Sequence, residues 1–230
     1  MKNLIPVSLL LILSLSALAE ASDPVLQRAF ERADREEIFL PYSCSMESHV
    51  LIHKGRNKKQ REEINRANWE VWSPDSIKVS GEEREILFQK EEEEEKRVEM
   101  GKGGGESRSF DVLDEGRRSL YRFEAKGLEL FNERELHRYD FEPLKKAKDL
   151  WEGSLWIDSE TGLLASVDAG LSKKSFGLKA FSMNMDFIDW EGMSLARQLT
   201  MEIHVKVPLL ANMRIRTESK FRDFQRIPVP

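Results

Sequence analysis

Alternation of apolar and polar residues with a period of two dominates the second half of the chain. Phe181, Met183, Met185 and Phe187 alternate with Ser182, Asn184 and Asp186. Leu199, Met201, Ile203, Val205 and Val207 alternate with Thr200, Glu202, His204 and Lys206. Met213 and Ile215 alternate with Arg214 and Arg216, and Phe221 and Phe224 follow. This period puts one face of each strand in a core and the other in water, as in an antiparallel sheet. Asp189 to Gly192 and Pro208 to Asn212 supply the turns. Such strands exceed the usual length of about 5–6 residues, and long strands coil, so a barrel or half-barrel is expected.

The hairpin that begins this sheet is Trp151 to Val167. Leu155, Trp156 and Ile157 form its first strand and Leu163, Leu164, Ala165 and Val167 its return. Asp158-Ser159-Glu160-Thr161-Gly162 carries the turn chemistry between them. Gly153, Leu155 and Ile157 share one side, with Ser154, Trp156 and Asp158 on the other.

The first half is less regular. Pro24 to Ile38 has a helical period, with Asp23 as N-cap and Pro24 at the first helical position, and the helix ends before Pro41. Ser43 to His53 predicts a strand with Met46, Ser48, Val50 and Ile52 on one side and His49, Leu51 and His53 on the other. Lys54 to Arg66 is polar and reads as a loop or short helical excursion. Asn68 to Trp72, Ile77 to Ser80, Glu85 to Gln89, Leu120 to Ala125, Leu128 to Phe131 and Leu136 to Phe141 are short strand candidates. Ser73-Pro74-Asp75 and Asn132-Glu133-Arg134 are expected turns. Glu91 to Glu95 and Gly101-Lys102-Gly103-Gly104-Gly105 combine charge repulsion with glycine entropy, so about 90–108 is expected to be a mobile loop.

The N-terminus changes the compartment. Lys2, the apolar run from Leu4 to Leu18 and the small residues of Ala17-Leu18-Ala19 predict a secretory signal peptide over 1–21. The remaining 22–230 is expected to form one exported, periplasmic domain, soluble after cleavage, with no cysteine at the cleavage site for a lipid anchor. Composition adds little: 40% hydrophobic and 33% charged residues are ordinary for a globular protein of 230 residues. A net charge of -5 argues against nucleic acid as a partner. The single cysteine, Cys44, forms no intramolecular disulfide and reads as a small buried hydrophobe.

Candidate chemistry is sparse. His49 and His53 lie on a predicted strand, where four residues span about 13 Å, too far for one metal ion. His137 and His204 read as outward polar residues. Asp158 and Glu160 lie in a turn, where acidic side chains serve the backbone. No nucleophile elbow, zinc helix or phosphate loop occurs, so no catalytic residue, metal or cofactor is expected and the chain is not read as an enzyme. Arg56, Lys58, Lys59 and Arg61 form a basic cluster that reads as a solvated loop, with contact to anionic head groups as the alternative.

Gly153-Ser154-Leu155-Trp156-Ile157-Asp158, followed by Thr161-Gly162-Leu163 and the later strands from Leu199 to Phe224, resembles the outer-membrane lipoprotein carrier-like superfamily. This is the LolA/LolB-like group, which includes the LppX-type lipoproteins and the N-terminal domain of RseB. The resemblance covers roughly Tyr121 to Gln225. It implies a mainly β, α+β fold: a strongly curved, open antiparallel sheet, or half-barrel, covered by an N-terminal helix and loops. It also implies an apolar cavity for acyl chains. Methionine adapts to irregular apolar ligands, and a curved apolar face needs a cover. The cavity candidates are Leu155, Ile157, Met183, Met185, Leu199, Met201, Ile203, Val205, Met213 and Ile215. The expected function is a monomeric carrier or chaperone for lipid or lipoprotein acyl chains. The alternatives are an envelope sensing module docking a membrane protein and, further off, a hydrolase.

Overall fold

The computed structural model describes residues 23–35, 40–55, 58–73, 76–90, 111–131, 134–207 and 211–228. The expected signal peptide, the glutamate- and glycine-rich loop, Arg56, Ile38 and most of the Ser73–Asp75, Asn132–Arg134 and Pro208–Asn212 turns lie outside the described residues.

Ten strands form one antiparallel sheet: β1 (Tyr42–Lys54), β2 (Lys58–Ser73), β3 (Ser76–Gln89), β4 (Tyr121–Phe131), β5 (Arg134–Pro143), β6 (Trp151–Ile157), β7 (Leu164–Leu171), β8 (Leu178–Trp190), β9 (Met193–Val207) and β10 (Ala211–Arg226). Their spatial order is β3-β2-β1-β10-β9-β8-β7-β6-β5-β4. β3 and β4 are its edges and do not pair, so the sheet is a curved, open half-barrel. Helix α1 (Pro24–Arg35) covers one part of it, and a short 3-10 turn (Asp111–Leu113) and helix α2 (Glu115–Arg118) precede β4.

Several expected breaks are not breaks. Of the expected loop from Lys54 to Arg66, Lys54 ends β1 and residues 58–66 form the first half of β2, a strand of 16 residues. Its inward positions include Arg61, Glu63 and Asn65, so no apolar alternation betrays it. Ile77–Ser80 and Glu85–Gln89 join into β3, and Leu120–Ala125 and Leu128–Phe131 into β4, each across an irregular register. A bulge inserts one residue and shifts the alternation, which makes one strand look like two.

Helix α1 follows from its sequence. Asp23 Oδ1 accepts hydrogen bonds from the amides of Val25 (2.9 Å) and Leu26 (3.2 Å), so it is the N-cap. Val25, Leu26 and Ala29 are buried against Tyr139, Phe141, Leu155, Ile157, Val167, Met183 and Phe187 in the larger core cluster. A second cluster centres on Tyr42, Cys44, Val71, Met193 and Leu195. Cys44 is 5% exposed, and burial pushes its thiol up to about 11, so it is an inert hydrophobe at neutral pH.

The opening hairpin seats the helix. Asp158 Oδ1 accepts from the amides of Glu160 (3.1 Å) and Thr161 (2.9 Å) and from Thr161 Oγ1 (2.9 Å), while Arg134 donates to Oδ2 at 2.8 Å. Gly162 closes the turn at φ +72, with space for a Cβ limited by the Arg28 backbone at 3.0 Å. Arg28 donates to the Ser159 carbonyl, and Arg32 donates to the Gly192 carbonyl in the β8–β9 turn. Helix α1 is therefore fastened at the turn end of β6 to β9.

Candidate functional site

Residues paired directly across antiparallel strands point to the same face. One row runs Leu155, Val167, Met185, Leu199, Ser219, Ser48 and Asn65 from β6 to β2. The next runs Gly153, Ala169, Met183, Met201, Thr217, Val50 and Glu63. A third contains Phe181, Ile203, Ile215, Ile52 and Arg61, and a fourth Val205, Met213, Lys54 and Lys58. This face holds both core clusters and α1, so it is the inner face. All ten cavity candidates lie on it.

They divide by depth. Leu155 and Ile157 are fully buried and Met183 is 9% exposed; they form the core beneath α1. Met185 and Leu199 are half-buried and pack on the edge of that core. Met201, Ile203, Val205, Met213 and Ile215 are half-buried and stand outside both clusters. They form an apolar stripe on β9 and β10 at the sheet end away from the α1 clamps. Ile52 continues it onto β1.

A polar strip borders the stripe on β2. Glu63, buried, accepts from Asn65 Nδ2 (3.3 Å) and Arg84 Nε (3.0 Å), and Arg61 Nε lies 2.6 Å from its Oε2. Ser48 and Ser219, both buried, share a 2.6 Å hydrogen bond. The sequence hides this strip because its residues are polar on an inward face. Reading the alternation back from Val71 and Trp69 through Ala67 and Asn65 would have found it.

The expected basic cluster is split by the alternation of β2. Lys58 and Arg61 face inward, while Lys59 faces out and pairs with Glu62. The outer face is polar. Arg138 donates to Asp140 (3.1 Å), Glu129 (3.2 Å) and Ser154 (3.3 Å), and Trp156 Nε1 donates to Glu129 at 3.2 Å. His49 faces out against Glu62 (2.9 Å), and His204 faces out against Asn212 (3.2 Å). His137, expected to point outward, lies opposite Ile157 on the inner face beside Tyr139. β5 is buried on both faces, by Leu136 on one and Tyr139 on the other, so its alternation does not reveal which is wet. Among the described residues no three His, Cys, Asp or Glu side chains gather to hold a metal. No described helix is long and apolar enough to cross a membrane.

No family model matches the chain, and no curated protein matches it. Solved structures do. A domain of the outer membrane lipoprotein-sorting kind from Vibrio parahaemolyticus is similar at 15% identity and TM-score 0.45, over 87% of this chain and 91% of that one. A LolA superfamily protein from Nitrosomonas europaea is similar at 11% identity and TM-score 0.35, over 89% and 94%. MucB in the MucA/MucB complex of Pseudomonas aeruginosa is similar at 8% identity and TM-score 0.27, over 89% and 98%.

Proposed function

We propose that the protein is an exported, periplasmic carrier or chaperone that holds the acyl chains of a lipid or lipidated protein on its inner face, without covalent chemistry. The observation that carries this reading is the stripe of Met201, Ile203, Val205, Met213 and Ile215, apolar and half-buried beyond the reach of either core cluster. Apolar surface in water costs roughly 25 cal/mol per Å², so such a stripe gains by taking an apolar occupant. Methionine at two of the five positions suits chains of variable shape. The mature protein, purified after export and sprayed under native conditions, is expected to carry a lipid mass that organic extraction removes. A protein that carries none and takes up no acyl-chain probe contradicts the proposal.

A second reading, an envelope interaction module, draws on β3. This edge strand is exposed along nearly its whole length and carries Val79, Ile86, Leu87 and Phe88 on its surface. A sheet edge with no strand beside it among the described residues pairs readily with a partner's strand. Retrieval of a membrane-protein partner that depends on β3, from a protein free of lipid, would favour it.

A further inference from the structure

The border between the apolar stripe and the polar strip contains donors that no described residue satisfies. Arg61 Nε and Nη2 and Thr217 Oγ1 are buried and have no hydrogen-bond partner among the described residues. Arg61 Nε is close to Glu63 Oε2 at 2.6 Å but does not direct its hydrogen there. The Arg61 side chain is 23% exposed and that of Glu63 12%. Buried donors without partners cost free energy comparable to a lost hydrogen bond.

Charge points the same way. Arg61 and Arg84 both lie against the single carboxylate of Glu63, which leaves one positive charge in excess. Lys58 adds a further inward position at the neighbouring row. Thr217 and Glu63 flank Val50 in one row and Arg61 lies on the next, so the backbones of Thr217 and Arg61 stand two strand spacings and one row, roughly 12 Å, apart. Between them lie Val50 and Ile52, the margin of the apolar stripe.

We propose that this corner, Arg61 with Thr217, seats the anionic head of an amphiphile whose chain lies along Met201 and Ile203. The inference rests on the acyl-chain reading and adds a ligand class to it: a single- or double-chain lipid ending in a carboxylate or phosphate. A guanidinium offers such oxygens a planar fork of donors, strengthened in a partly desolvated site.

The test compares palmitic acid with methyl palmitate by displacement of a neutral fluorescent probe at pH 8, with inorganic phosphate as a third ligand. Wild-type protein is expected to bind the acid about ten-fold or more tightly than the ester. Arg61→Gln should bring that ratio near one with ester affinity unchanged, Arg61→Lys should restore part of it, and Thr217→Val should lower it several-fold. The wild-type ratio stands even where a variant fails to fold. A ratio near one in the wild type overturns the inference alone, because it means water serves these donors; so does a ratio that survives Arg61→Gln. Phosphate bound through Arg61 by a protein that binds neither palmitate marks a free-anion site and overturns the inference. Failure to bind the acid, the ester and phosphate overturns both this inference and the acyl-chain reading.

Discussion

Asp23 ties helix to sheet with one carboxylate. It caps α1 and accepts a 2.7 Å hydrogen bond from Tyr139 Oη, whose residue is 1% exposed. Burial raises its pKa, but the bonds from Tyr139 and the Leu26 and Val25 amides outweigh that and hold it below the ordinary carboxylate value. Asp158 behaves alike: burial raises its pKa, and the bonds from Thr161, Arg134 and Glu160 lower it on balance. A carboxyl with a depressed folded pKa stabilises fully above its unfolded pKa, near 4, and the stabilisation is lost as pH falls through the folded value. Stability should therefore decline below about pH 4, and Asp23→Asn with Asp158→Asn should flatten that decline in urea titrations across pH. Asp23→Ala should cost about 2 kcal/mol, the sum of a lost cap and an unpaired Tyr139 hydroxyl. Gly153 is the other sharp position. A Cβ there would collide with the Asp168 carbonyl oxygen, so Gly153→Ala must move β6 or β7 and should cost about 3 kcal/mol in thermal or denaturant unfolding. Asp23 was legible as a cap from Asp-Pro before an apolar period. The need for glycine at 153 was not, because it arises from the closeness of a neighbouring strand.

Among elements, α1 decides how much of the inner face is open. Its arginines grip the β6–β7 and β8–β9 turns, so the helix covers the turn end and leaves the stripe on β9 and β10 outside its footprint. Replacing Arg28 and Arg32 with alanine should loosen α1 by about 1–2 kcal/mol and speed amide exchange in Pro24–Arg35, with the central strands unchanged. Strands β8 and β9 were legible from the apolar inner positions Phe181 to Phe187 and Leu199 to Val207, and β10 from Met213, Ile215, Phe221 and Phe224, which flank its inward Thr217 and Ser219. β2 was not, since a strand whose inward side is Arg61, Glu63 and Asn65 has the composition of a loop. Its outer partner Glu62 shows the same disguise, paired to Lys59 and His49 at the surface. Strand signals thus fail where the face they turn inward is polar, and that is the face on which the candidate head-group corner lies.

For the whole molecule, the open sheet is the determining feature. A closed barrel would remove the edges and fill its interior; a sheet that ends at β3 and β4 keeps an inner face wider than one short helix can cover. The sequence carried this architecture in its long alternating strands and in the Trp-Ile-Asp hairpin. It did not carry the division of the candidates into core and stripe, because Leu155 and Met201 alternate alike and only the position of α1 separates them. Methyl spectra of the protein labelled at methionine read that division directly. On titration with a neutral acyl-chain probe, the account predicts that Met201 and Met213 shift in a saturable manner while Met193, buried in the second cluster, stays in place. A probe that binds without moving Met201 and Met213 would contradict it.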